Sequence, residues 1–242
     1  MKLITLNIWG GRVFEALSAF LKKQALDTDI FCFQEVFNNG KLLEEYDDSR
    51  ASLIRLENFS ELKALLPNYN AFLAPPDSRE ETLAMFVKKD ILVDKTDYLF
   101  VQGANSARAL GIPLQYIQFN CRGKQYTVCN FHGWWVPDSK SDTPERIVQS
   151  NNVKMFLDSV PGAKIICGDF NLDPDTESMS IIDFGMKNLI KEHHITSTRS
   201  HLYTKRAKLA DYILTSPEIK VADFKVLQDV VSDHLALCLE FE

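Results

Sequence analysis

The 242-residue chain has no long apolar run, no Cys-x-x-Cys pair, no internal repeat and no low-complexity tract. Nothing approaches the roughly 18 consecutive apolar residues of a bilayer-spanning helix, so no transmembrane segment is expected. Five scattered cysteines (Cys32, Cys121, Cys129, Cys167 and Cys238) are odd in number and mostly lie inside apolar runs. That pattern speaks against structural zinc and for buried, reduced thiols. The N-terminal MKLITLNIWGG carries one Lys and no small-residue cleavage site, so no leader and a cytoplasmic location are expected. Positive charge is not in excess either: 27 Lys+Arg stand against 33 Asp+Glu, a formal charge of -6. A global basic footprint for nucleic acid is therefore missing, although acidic residues that hold a cation reverse the sign locally.

What remains is an ordinary globular composition, 45% hydrophobic and 25% charged, long enough for one sizeable core. Residues 1–242 are read as a single domain. Short β-branched or aromatic runs predict strands at 3–7, 30–34, 84–88, 114–120, 126–131, 164–167, 212–215 and 235–241. The pair flanking CRGK reads as a hairpin. The nearly continuous apolar runs DIFCFQ and KIIC suit strands covered on both faces. Phe14, Leu17, Phe20, Leu21 and Leu26 predict an amphipathic helix after the first strand. A second helix is predicted over 143–157, with Thr143 as cap, Pro144 at its first position, and Ile147, Val148, Val153, Phe156 and Leu157 on its buried stripe. Strands and helices mix throughout, giving an α/β or α+β class with helices packed on sheet.

Four short segments each place a proton-transferring or metal-competent side chain at the end of an apolar strand. They are LNIWGG with Asn7, FCFQEV with Glu35, CGDFNLDP with Asp169 and Asn171, and VVSDH with Asp233 and His234. Taken singly, Asn7 or Glu35 reads as a cap or turn residue, GDFN as a tight turn before a helix, and Ser-Asp as a turn. A carboxylate at the end of a buried strand is costly unless it meets a cation or a donor. Oxygen ligands from Glu, Asp and Asn suit a hard cation such as Mg²⁺. Four such ends in one chain point to convergence.

These segments, with the DY of KLADYIL, run from Asn7 to His234, and together they resemble the endonuclease/exonuclease/phosphatase superfamily. The resemblance implies a four-layer sandwich of two mixed β-sheets flanked by helices, and metal-dependent hydrolysis of phosphoric esters by water, with Mg²⁺ (or Mn²⁺) as cofactor. It implies Glu35 as principal metal ligand, with Asn7 and Asp233 near the metal, and Asp169 orienting or deprotonating the water. It further implies Asn171 and His234 on the phosphate, Asp211 as the partner of His234, and His132 as a second histidine. Arg108, Trp134 and Trp135 are candidate substrate contacts, though a surface arginine and a loop anchored by its tryptophans read equally well. Trp9 stands where the abasic-endonuclease and tyrosyl-DNA branches usually carry Asp, and the LN-x-W-G form is more similar to some sphingomyelinases.

The leading expectation is a nuclease or nucleic-acid-processing phosphodiesterase, with nucleic acid or another phosphoester as substrate and no obligate protein partner. The alternatives are a phospholipid head-group phosphodiesterase, with Trp134 and Trp135 as interfacial anchor, a phosphatase, and a catalytically silent binding domain. The basic run Lys205, Arg206 and Lys208 and the histidines His193, His194 and His201 read as solvated loop residues. Specificity is expected in loops 36–58, 75–82, 103–110, 133–142 and 196–210.

Overall fold

The computed structural model describes residues 1–40, 53–77, 79–102, 111–137 and 139–242. Twelve strands among these residues form two six-stranded sheets. The first sheet contains β1 (Lys2–Asn7), β2 (Ile30–Val36), β3 (Tyr69–Leu73), β4 (Thr82–Lys88), β11 (Val221–Val226) and β12 (Leu237–Phe241), in the order β11-β12-β1-β2-β4-β3. The second contains β5 (Val93–Gln102), β6 (Ile112–Cys121), β7 (Lys124–His132), β8 (Ala163–Asp169), β9 (Lys187–Asn188) and β10 (Asp211–Thr215), in the order β5-β6-β7-β8-β10-β9. The expected sandwich of two mixed sheets is thus the observed fold.

Alternation along the central strands builds two apolar layers. Leu3, Ile30 and Cys32 point between the sheets, where they join Val128, Ile165 and Cys167 of the second sheet. Ile4, Leu6, Phe31 and Phe33 point the other way, against Leu17, Phe20 and Leu21 of α1 (Phe14–Gln24) and Phe59 and Leu62 of α2 (Asn58–Leu65). This explains the uninterrupted apolar run of β2, which is covered on both faces. Leu26 lies beyond the end of α1 and is 84% exposed, so it does not belong to the stripe. α3 (Pro144–Ser159) starts at the predicted cap, with the Thr143 hydroxyl accepting the Arg146 N–H at 3.3 Å. Its buried face is more polar than expected: Arg146, Gln149 and Ser150 join Val153 and Leu157, while Val148 is exposed.

Two parallel pairs, β1/β2 and β7/β8, are each joined through a helix, α1 and α3 respectively. Their C-terminal ends carry Asn7, Glu35, His132 and Asp169. β10 runs antiparallel to β8 and β12 antiparallel to β1, so their N-terminal ends arrive at the same edge with Asp211 and, just before β12, His234. Strand pairing therefore brings the four segments together. One row of the second sheet aligns His132, Asp169 and Asp211 directly.

The predicted hairpin is β6–β7, turning at Arg122 and Gly123 with φ of 50° and 77°. β3, β5, β9 and β11 were not expected from the sequence. Five successive positions of β5 are exposed, and its charges mark it as an edge strand rather than a loop. The last strand begins at Leu237, because Leu235 and Ala236 bond instead to Thr198 and Leu227. Four cysteines are buried and Cys121 is half-buried, and none is disulfide-bonded. No helix among the described residues is long and apolar enough to cross a membrane.

Gly168 determines how closely β8 approaches β7. Its φ is 136°, and a Cβ there would lie 2.0 Å from the Phe131 carbonyl oxygen. Gly168→Ala is expected to cost on the order of 3 kcal/mol through strain and overlap with backbone. Denaturant unfolding checks this, and a loss near zero would contradict the assigned packing.

Candidate active site

Glu35 reaches the site because its strand is irregular. Regular alternation would turn it outward with Phe31 and Phe33. Instead its φ is 55°, and the register with β4 shifts between Phe33 and Val36. Such a bulge re-aims a side chain, and the Glu35 carboxylate accepts the Asn7 amide N–H at 2.8 Å. The same Asn7 nitrogen donates to Asp169 at 3.2 Å. Asn7 Oδ1 accepts the Trp9 N–H at 2.9 Å, which orients the amide with its nitrogen toward the two acids.

Asp169 and Asn171 form a local unit: Asp169 Oδ1 accepts the Asn171 N–H at 2.9 Å. Asn171 adopts φ 55°, its Nδ2 donates to the Gly133 carbonyl at 3.0 Å, and its Oδ1 accepts the Lys140 ammonium. His234 is held by Asp211, 2.8 Å from Nδ1, and Asp211 in turn accepts the Thr198 hydroxyl at 2.6 Å. This fixes the ring with Nε2 facing the site, 3.5 Å from Asp169. His132 points Nε2 between Asp169 and Glu35, at 3.8 and 4.0 Å, and Nδ1 toward Glu81 at 3.9 Å. Glu81 pairs with Arg79 at 2.7 Å.

The carboxylates and imidazoles are biased in opposite ways. Burial pushes Asp169 upward, but His234, Lys140, His132 and Arg199 together hold it well below the usual carboxylate range. Glu35 behaves alike: desolvation is opposed by His132, Arg79, the Asn7 hydrogen bond and His234, and its pKa is lowered. For His132, burial dominates over the nearby acids and the pKa is lowered. For His234, burial and Arg199 oppose charging, yet Asp211, Asp233 and Asp169 outweigh them and the pKa is raised. One neutral and one charge-prone imidazole therefore flank the acids.

The remaining expected residues lie as follows. Asp233 meets Arg199 at 3.2 Å, and burial raises its pKa despite His234 and Arg199. Trp134 is half-buried, with its N–H on the Gln149 side chain at 3.0 Å. Trp135 is 37% exposed, with Arg79 and Lys205 5.9 and 6.0 Å from its ring centroid. Arg108 lies outside the described residues.

Sequence reasoning missed Lys140, Arg199, Glu81 and Arg146. The first three sit in loops where specificity was expected, 133–142, 196–210 and 75–82, without having been singled out there, and Arg146 sits in a helix expected to bury an apolar stripe. Nothing local distinguishes a buried cation there. Arg199 joins the site through its β-bridge with His234, its ion pair with Asp233 and the contact of its Nη1 with His234 Nε2.

Oxygen-rich donors fit a hard divalent cation. Asn7 draws Glu35 and Asp169 together, an arrangement of like charges that a cation relieves. Two groups of three potential ligand atoms within 4.8 Å occur among the described residues: Glu35, Glu81 and His132, and Asp169, Asp211 and His234. Together with the paired sheets, this defines a class: an α/β sandwich whose strand ends gather acids and imidazoles around a cation-competent centre.

The sequence profile of the Endonuclease/Exonuclease/phosphatase family matches residues 4–234, and the chain belongs to that family, whose members hydrolyse phosphoric esters. Among curated proteins no sequence matches. Among solved structures, the chain is similar to the mannosyl-6-phosphatase of Bacteroides thetaiotaomicron VPI-5482, at 17% identity, with 100% of this chain and 99% of that one covered and a TM-score of 0.77. It is also similar to a family member from Leptotrichia buccalis C-1013-b (20% identity, 100% and 99% covered, TM-score 0.73) and to truncated TDP2 of Caenorhabditis elegans (19%, 99% and 96%, TM-score 0.70). At these identities the likeness is one of fold.

The lowered carboxylates link stability to pH. A group with a depressed folded pKa contributes stability above its unfolded value, here 3.8 for Asp169 and 4.5 for Glu35, and loses it as pH falls through the folded value. The metal-free protein is expected to lose Tm steadily on acidification below about pH 4, with a shallower fall in Asp169→Asn. Parallel curves for the two proteins would contradict the assignment.

Proposed function

We propose that this chain is a divalent-cation-dependent hydrolase of phosphoric esters that uses water as nucleophile. The observation that carries the reading is the Asn7 bridge, which joins Glu35 of one sheet to Asp169 of the other. Glu35 would hold the cation, Mg²⁺ or Mn²⁺, with Asp169 beside it. When bound, the cation supplies positive charge to the phosphoryl oxygens and lowers the pKa of water. Asn7 holds the two acids together through its amide nitrogen, and its oxygen accepts the Trp9 N–H.

Asp169 stays ionised, so it accepts a hydrogen bond from the attacking water and holds its lone pair toward phosphorus. Asn171 fixes that carboxylate through its N–H and presents its side chain between Gly133 and Lys140. His234, with Nδ1 on Asp211, directs Nε2 to a phosphoryl oxygen and offsets the charge that builds there. His132, with its lowered pKa, serves as a neutral donor or acceptor between the two acids. Asp233 holds Arg199 in place. Trp134 anchors its loop, and the exposed Trp135 leaves a ring face for the part of the substrate beyond the phosphate.

The names of similar structures include a phosphatase, and ester type would be decided by the groups around the phosphate. A nucleic-acid substrate agrees with an aromatic face beside Lys205.

Hydrolysis of p-nitrophenyl phosphate and bis(p-nitrophenyl) phosphate with Mg²⁺, with Mn²⁺ and with chelator tests the reading. Activity is expected with metal and not with chelator. Asp169→Asn and His234→Ala should each lower kcat by on the order of 10²–10⁴-fold. Activity that survives chelation, or that both variants retain, would overturn the proposal.

A further inference from the structure

Two cations inside the site have no role in the chemistry described so far. Lys140 comes from the loop after β7 and Arg199 from the loop before β10, and each is only 8% exposed. Among the described residues the Lys140 ammonium, with three donors, has one hydrogen-bond acceptor, the amide oxygen of Asn171. Arg199 places Nη1 on Asp233 and against His234 Nε2, and its Nε is buried without a hydrogen-bond partner among the described residues. The two charges repel one another, and Asp169 attracts both.

Both cations are rigidly placed. Arg146, itself 1% exposed, donates to the carbonyls of Trp134, Ser139 and Ser141, which pins the loop that carries Lys140. Arg199 stacks 4.1 Å over Tyr203 and is tied by a backbone bridge to His234. Asp233 and Asp169 offset part of this charge, and the donors left unused suit an anion. That anion must offer several oxygens in one small volume.

A phosphodiester is a monoanion with two non-bridging oxygens. A terminal phosphate monoester near neutral pH is a dianion with three. The cation, His234 and Asn171 meet the needs of a diester, and Lys140 and Arg199 supply the further charge and donors that a terminal phosphate presents. Resting on the phosphoesterase reading above, we propose that Lys140 and Arg199 grip the terminal oxygens of a phosphate monoester and make monoesters the preferred substrate class of this site. Sugar phosphates and terminally phosphorylated oligonucleotides share that chemistry.

The test compares the full-length protein with Lys140→Met, Arg199→Met and the charge-keeping Lys140→Arg and Arg199→Lys. With Mg²⁺, kcat/KM is measured on p-nitrophenyl phosphate, bis(p-nitrophenyl) phosphate, a hexose 6-phosphate and a 5′-phosphorylated oligonucleotide. Binding of inorganic phosphate in chelator is followed by calorimetry, and Tm is recorded for each variant. The native chain should favour monoester over diester. Each Met variant should lose on the order of 100-fold on monoesters and only several-fold on the diester, as expected for a lost charged hydrogen bond. Phosphate affinity should fall in parallel, and the charge-keeping variants should recover part of both. Turnover of either natural ester supports the proposal, the faster one naming its source.

A diester preference in the native chain, or equal losses on both classes with phosphate affinity unchanged, would overturn it and leave the pair as structural. If Arg199→Met does not fold, Lys140→Met decides alone. Absence of chelator-sensitive turnover on every substrate would defeat the phosphoesterase reading instead. The calorimetry then still decides whether the pair binds phosphate.

Discussion

One side-chain amide joins the two halves of this molecule at the point where charge is most concentrated. Asn7 donates to Glu35 in its own sheet and to Asp169 in the other. Below it, Gln34 donates to Asn130 at 2.6 Å, and Asn130 donates to the Phe33 carbonyl at 3.0 Å. These buried polar contacts determine how the sheets meet, since an unpaired amide in that position would carry its full desolvation cost. The apolar layer supplies attraction without direction. The polar rungs supply the alignment that makes a site possible.

Charge in the site is arranged in alternation. Glu35, Asp169, Asp211 and Asp233 are interleaved with His132, His234, Lys140 and Arg199, nearly all of them buried. Each carboxylate faces a cation or a donor, and each imidazole takes its bias from the balance between burial and the charges around it. His132 and His234 have opposite shifts although both lie beside Asp169. His234 has Asp211 bonded to its ring and Asp233 beside it, whereas the acids around His132 stand 3.8 Å or more away and burial, with Arg79, prevails there. Environment, not residue type, separates their behaviour.

Loops complete what strands begin. Arg146 on α3 holds the loop after β7, and Thr198 holds Asp211 while its neighbour Arg199 enters beside His234. A rigid scaffold with variable loops is how one fold serves several ester chemistries. The buried cations Lys140 and Arg199 thus come from loops, while Asn7, Glu35, His132, Asp169 and Asp211 come from strand ends.

Much of this was legible in the chain itself. The strand ends bearing Asn7, Glu35, Asp169 and His234 were visible because apolar runs stop abruptly at polar residues. The cap of α3 was visible because Thr143-Pro144-Glu145 acts locally. β5 was not, since an edge strand carries charges like a loop, and Leu26 and Val148 were misplaced because periodicity alone does not reveal where a helix stops or which face it buries. Local sequence thus determined the central strands, the two main helices and the chemical identity of the strand-end groups, because those depend on neighbours a few residues away. Only the tertiary structure decided that Glu35 turns inward at a bulge, that Asn7 presents nitrogen, and that Lys140 and Arg199 are buried cations. Apart from the Trp9 N–H that helps to orient Asn7, those outcomes depend on contacts between residues tens to more than a hundred positions apart.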